Sequence, residues 1–236
     1  MKPVAIFRHA PTEGPGYFAT VLDRHRVPWR VIKVDAGEAV PADARAFSGL
    51  VFMGGPMSVN DDLPWIAPVL QLIRGGVEAD VPVLGHCLGG QLMSAALGGS
   101  VSRNPVKEIG WGEVVAADTP LAQRWFGHAA QSFVAFHWHG ETFTLPPGAE
   151  RVLANRYCEN QAFALGKHLG MQCHIEMTSE MIAAWCASGA REISRSHSPA
   201  VQPVAAIKSG LEPRLQALHQ VADGVYAQWM RGLTSD

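Results

Sequence analysis

The sequence is poor in charge. Only 17% of its 236 residues are charged, and 19 Lys and Arg stand against 21 Asp and Glu for a net charge of -2. No lysine- or arginine-rich run appears, which argues against a general binder of phosphate backbones. Cysteine is scarce as well: Cys87, Cys158, Cys173 and Cys186 are the only four, with no CxxC pair among them. That is not a disulfide framework, and free thiols in a reducing cytoplasm are expected. The first apolar run, in MKPVAIFRHAPTEG, is cut short by Arg8 and His9, too early for the core of a secretory signal. The longest uncharged run, Val81 to Ser102, has the length of a membrane span but carries five glycines, His86 and Gln91. It reads as a strand, turn and helix instead. No internal repeat, low-complexity tract or long linker is present. These absences predict a cytoplasmic protein with neither a nucleic-acid nor a membrane partner.

What is present is apolar and punctuated. The chain is 47% hydrophobic, with 24 glycines and 16 prolines, and a chain of this length buries roughly 70–75% of its unfolded surface. Strand-length apolar runs at Pro3–Arg8, Trp29–Val34, Gly49–Met53 and Val81–Leu84 alternate with helical patterns at Gly16–His25, Leu63–Ala79 and Leu88–Leu97. Near-continuous apolar strands between helices predict a parallel sheet covered on both faces. Shorter strands are predicted at Glu113–Ala117, Ser132–Trp138, Val152–Asn155 and Gln161–Leu165, forming a small antiparallel patch. A strand at His168–His174 and helices at Ser179–Ala187 and Glu212–Arg231 follow. The expected fold is one α/β domain with a central, mostly parallel sheet flanked by helices. Residues 1–187 are read as the main unit and 188–236 as a helical extension packed on it.

Cys87 lies between a buried-type strand and a helix start, with Gly85, Gly89 and Gly90 around it. This is the pattern of a nucleophile elbow, in which small neighbours let the chain bend and a substrate approach. At a helix N-terminus, unpaired N–H groups and the macrodipole favour a thiolate and can also hold an oxyanion. A thiol nucleophile needs a base. His174 ends a predicted strand and Glu176 follows two residues later, so in extended chain both point to one side. Glu176 can then orient the imidazole as the third member of a triad. Gly54-Gly55-Pro56 also follows a predicted strand, which brings it to the same carboxyl edge of the sheet as Cys87. Each of these pieces also has a plain structural reading: a buried cysteine in a glycine-rich connection, a surface histidine, an ordinary turn.

Taken together, Gly54-Gly55-Pro56, GHCLGGQ at 85–91 and GMQCHIE at 170–176 resemble the class I glutamine amidotransferase family. Among its members, stand-alone proteins similar to the glutaminase half of GMP synthase look nearest. The resemblance implies Cys87 as nucleophile, His174 as base and Glu176 as its orienter. It also implies an oxyanion hole from Gly55 and the Leu88 N–H, with Gly54 and Gln91 at the substrate and Trp138 and His139, in FHWHGE, as weaker substrate contacts. The reaction implied is release of ammonia from the glutamine side chain through a thioester, with no cofactor. A separate synthetase would be the ammonia acceptor, because neither a P-loop nor an ATP-pyrophosphatase signature is present. His86, Cys173 and Ile175 depart from the family pattern without removing a catalytic group.

Two other readings remain open at this point. The same triad can hydrolyse γ-glutamyl peptides or conjugates, and the fold can serve as a non-catalytic or regulatory subunit of a synthetase. His137 and His139 have the spacing of one strand face, but without CxxC or HExxH no metal is expected. Cys173 is read as core, and Arg8 and His9 as surface or capping residues.

Overall fold

The computed structural model describes residues 1–127 and 131–233. The chain begins with strand β1 (Val4–Arg8), helix α1 (Tyr17–Arg24), β2 (Trp29–Lys33) and β3 (Gly49–Phe52). Helix α2 (Ile66–Glu78), β4 (Val83–His86) and α3 (Leu88–Ala96) complete the alternating half. The second half holds β5 (Val101–Ala116), α4 (Pro120–Phe126), β6 (Ser132–Phe143), β7 (Glu150–Ala154), β8 (Ala162–Leu165) and β9 (His168–Met171). It closes with α5 (Ser179–Ser188), α6 (Ala190–Arg195), β10 (Ala200–Val201), α7 (Val204–Lys208) and α8 (Leu211–Met230).

Five strands run parallel in the order β9-β4-β3-β1-β2, and β8, β7 and β5 extend the sheet by antiparallel pairing. The fold is α/β with a mixed, mostly parallel central sheet between helices. Strand periodicity explains why both faces need helices. On β1, Val4 and Ile6 enter the core beside α1 and α8, while Ala5 and Phe7 enter the one beside α2 and α3. All four are fully buried, as parallel strands covered on both sides require. Helix α8 seals the first face with Tyr226 and Trp229, whose rings meet Phe18 edge-on.

Several boundaries differ from the sequence reading. Helix α2 starts at Ile66, so Pro64 lies in the preceding turn. Pro68 is the proline inside the first helical turn, where a missing N–H costs nothing. Strands β5 and β6 are far longer than the patterns at 113–117 and 132–138. Pro105 and the charges around it hid the first part of β5, and a register shift between Arg103 and Glu108 absorbs that proline as a bulge. Strand β9 ends at Met171, and the chain then meets β6 through a single antiparallel bridge, Phe136 to His174.

Candidate active site

The carboxyl ends of β3 and β4 and the segment after β9 meet at one edge of the sheet. Cys87 caps α3 with φ 51° and ψ -107°, a strained conformation for a side chain with a Cβ. The turn closes because glycines flank it. A Cβ on Gly89 would collide with the Phe52 carbonyl, and one on Gly85 with the backbone of Gly89. The Cys87 N–H donates to the Met171 carbonyl at 2.8 Å, which ties the elbow to β9.

Cys87 is 6% exposed and borders a cavity of about 1180 Å³ that is also lined by Glu13, Gly55, Trp138, His139 and His174. Gln172 Nε2 donates to its Sγ at 3.4 Å, and the Trp138 carbonyl lies 3.8 Å away. His174 and Glu176 are both buried, with Nδ1 2.6 Å from Oε1. Trp185 packs edge-on against the imidazole at 4.9 Å. The other ring nitrogen, Nε2, has no hydrogen-bond partner. Burial pushes the imidazole down, but the Glu176 carboxylate and the neighbouring Cys87 sulfur outweigh it and raise the group well above its usual value. Burial acts on Glu176 in the opposite sense, and the two histidines beside it, His86 and His174, hold its carboxyl down. His86 Nε2 lies 3.7 Å from Glu176 Oε2 and 3.1 Å from the Tyr226 hydroxyl, which links α8 to the rear of the site.

The remaining sequence candidates take different places. Gly55 lines the cavity and packs against Leu88, whose side chain is fully buried and whose N–H begins α3. Gly54 sits one step behind, where a Cβ would come 3.2 Å from His174 Cε1 and 2.6 Å from Glu13. Gln91 is buried, and its Nε2 donates to Gln172 Oε1 at 3.1 Å. It therefore reaches the thiol through Gln172. Trp138 lines the cavity and donates its indole N–H to Glu192 at 3.0 Å. His139 also borders the cavity, yet both ring nitrogens turn inward: Nδ1 donates to the Glu141 carbonyl at 2.9 Å, and Nε2 faces Glu108 at 3.0 Å. His137, His139 and Glu108 bring their ligand atoms within 4.8 Å of one another, the one such group among the described residues.

Sequence reading missed several residues here. Gln172 was within reach, since it lies two residues before His174 and so shares its side of extended chain. Glu13, in the loop after β1, carries no motif; burial raises its carboxyl to about 7. His9 is a correction. It is buried, not a surface residue, with Nδ1–H donated to the Met53 carbonyl at 2.9 Å and its ring stacked on Trp65. Arg8 forms a two-point pair with Asp35 at 3.1 and 2.8 Å. Cys173 is fully buried, and all four cysteines are free. Among the described residues, no helix is long and apolar enough to cross a membrane.

Comparison with known proteins follows the same outline. The family described as glutamine amidotransferase class-I matches residues 19–184. A crystal structure of a glutamine amidotransferase from Methylobacillus flagellatus superposes with a TM-score of 0.97 at 42% identity, covering 100% of this chain and 97% of that one. A glutamine amidotransferase-like protein of Salmonella typhimurium, YfeJ, is 32% identical over 182 residues, 74% of this chain and 75% of its own length. The GMP synthase (glutamine-hydrolysing) of Aromatoleum aromaticum is 32% identical over 139 residues, but the match spans only 26% of that protein. Fold, elbow and sequence converge on one assignment: the chain belongs to the class I glutamine amidotransferase family.

Proposed function

We propose that this protein hydrolyses the side-chain amide of glutamine and releases ammonia, using Cys87, His174 and Glu176. The observation that carries the reading is the strained Cys87 at the head of α3, beside an imidazole whose far nitrogen is bonded to a buried carboxylate at 2.6 Å. The Cys87 thiolate attacks the carboxamide carbon. The N–H groups of Gly55 and Leu88 receive the developing oxyanion, where fixed dipoles in a dry site act most strongly. His174 gives a proton to the departing ammonia and leaves a thioester on Cys87. It then takes a proton from water, which attacks the thioester and frees glutamate. Glu176 holds the ring and its tautomer throughout. Glu13, Glu141, Arg103 and Lys107 line the cavity. They offer both signs of charge to the amino-acid end of the substrate.

A second reading rests on the cavity. Its volume of about 1180 Å³ exceeds the ~300–1,000 Å³ of pockets that enclose drug-sized ligands. That room suits a γ-glutamyl peptide or conjugate, or an entrance completed by a separate synthetase. The likeness to part of GMP synthase supports such a partner. The test is ammonia or amine release by purified protein from glutamine and from a panel of γ-glutamyl peptides, with Cys87→Ala as control. Ammonia from glutamine supports the first reading, and faster release from the conjugates supports the second. No release above the Cys87→Ala background, with or without a synthetase, contradicts both.

A further inference from the structure

The buried group on β5 and β6 has features that the proposed amide chemistry does not use. Glu108 and His139 are direct partners across the two strands, and His137 lies two residues earlier on the same face of β6. All three side chains are buried, with exposures of 3%, 5% and 1%. The backbone fixes each ring. His139 Nδ1 meets the Glu141 carbonyl at 2.9 Å, and His137 Nε2 meets the Gly112 carbonyl at 3.3 Å. A carbonyl only accepts, so the nitrogen facing it carries the hydrogen. His139 Nε2 and His137 Nδ1 are left to face Glu108, at 3.0 Å from Oε2 and 4.0 Å from Oε1.

Neither of those nitrogens makes a hydrogen bond. With its hydrogen on Nδ1, a neutral His139 presents a lone pair at Nε2, and that lone pair faces the carboxylate at 3.0 Å. A third centre off the line between the two atoms satisfies both. Ligand atoms held ~2.0–2.2 Å from one ion, at angles between square and tetrahedral, lie about 2.9–3.5 Å apart. The Glu108–His139 separation falls in that interval; His137 Nδ1, 4.0 Å from Glu108, must shift toward the ion to complete the set. The surroundings are those of ligands held in place. Asn155 Nδ2 donates to Glu108 Oε1 at 2.6 Å, and Gln161 Nε2 donates to Oε2 at 2.8 Å. A histidine that donates one ring N–H to a backbone carbonyl and offers the other nitrogen is the usual arrangement at a metal.

We propose that Glu108, His137 and His139 form a divalent transition-metal site, with zinc the ion best suited to two imidazoles and a carboxylate. The site pins β5 to β6 behind the strand that presents the Trp138 carbonyl to Cys87. Its role is positional, because Glu108 and His137 do not line the cavity and both ring nitrogens of His139 face protein atoms, the Glu141 carbonyl and Glu108. It stands independently of the amide chemistry proposed above.

The test uses the Cys87→Ala protein, so that zinc cannot bind at the active-site thiol, and a preparation without a histidine tag. After chelator treatment and gel filtration, the chain is titrated with zinc and, separately, with cobalt(II). The expected results are one equivalent of zinc retained per chain, a raised melting temperature, and a visible cobalt absorption band. Glu108→Gln and His139→Ala should abolish the band and the thermal shift. If those variants fail to fold, metal stoichiometry and the cobalt spectrum of the parent chain still decide. Absence of retained zinc and of a cobalt band overturns the proposal in favour of a shared proton. Binding that survives in folded Glu108→Gln and His139→Ala overturns it too, since the ion then sits elsewhere.

Discussion

Two buried histidine–carboxylate pairs flank this cavity, and they are built in opposite ways. His174 and Glu176 lie two residues apart in one extended segment and share a hydrogen bond of 2.6 Å. The second ring nitrogen of His174 has no hydrogen-bond partner, and Cys87 lies beside the ring. His139 and Glu108 come from different strands and lie 3.0 Å apart without a hydrogen bond. The other nitrogen of His139 is already bonded to the Glu141 carbonyl. The residue types are the same, and what differs is whether a nitrogen remains to exchange a proton with something in the cavity. The first pair keeps one, so it can act on a substrate. The second turns its remaining nitrogen to Glu108 at 3.0 Å, so it serves to hold structure.

The largest expected effect tests that division. Cys87→Ala and His174→Ala should each lower turnover by about 10⁴-fold or more, because triad members act as a unit. Glu176→Gln should lose about tenfold to a hundredfold less, since a neutral amide can still bond the ring. His139→Ala should keep turnover within about tenfold while lowering the melting temperature. The rate of ammonia release in each variant, with folding checked by circular dichroism, decides. A folded His174→Ala enzyme at near wild-type rate, with His139→Ala inactive, would reverse the roles of the two pairs.

The next effect concerns the elbow. Gly89→Ala places a methyl against the Phe52 carbonyl, and backbone has little freedom to yield. We expect a loss of about 3 kcal/mol or more in denaturant unfolding, a size that marks steric conflict in a core. Gly75, on α2, has open space at its Cβ position, so Gly75→Ala should be neutral or slightly stabilising. Equal losses at both positions would show that close packing does not set the elbow.

A smaller and more gradual effect comes with acid. Burial, the larger cause at both sites, holds His9 and His168 at about 4, against an ordinary 6.5. The unfolded chain therefore takes up protons first as the pH falls. Stability is fully present above pH 6.5 and is lost between 6.5 and 4, by up to about 3 kcal/mol for each histidine. His168 gives the loss a structural cause, because its Nδ1 accepts the Val83 N–H at 3.2 Å and cannot do so once protonated. A melting temperature flat between pH 6.5 and 4.5 would contradict this.

Legibility in the sequence follows the same division between the two regions. The parallel half was readable because its strands are continuous apolar runs and its site residues sit in short segments next to strand ends. Cys87, His174 and Glu176 were suggested by the rules for strand-to-helix turns and for alternate residues in extended chain, each with a plain structural alternative until the family likeness joined them. Glu108 was not readable. It follows Pro105 in a stretch with no strand pattern, and it meets His139 only through the register of a bulged hairpin. The link from Glu176 through His86 to Tyr226 was hidden for a similar reason, since α8 is distant in the chain and only packing brings it near. Gly54 and Gln91 were assigned from family likeness alone. In the structure, Gln91 contacts Gln172, which in turn contacts the thiol.

The most direct measurement of the central claim, that Cys87 is the nucleophile of a glutamine-hydrolysing site, is covalent capture. An electrophilic glutamine analogue is incubated with the wild-type protein, and the modified peptides are mapped by mass spectrometry. A single adduct on Cys87 is expected, blocked by excess glutamine and slowed strongly in His174→Ala. An adduct on Cys158, Cys173 or Cys186 in preference to Cys87, or labelling of Cys87 that glutamine does not protect, would contradict it.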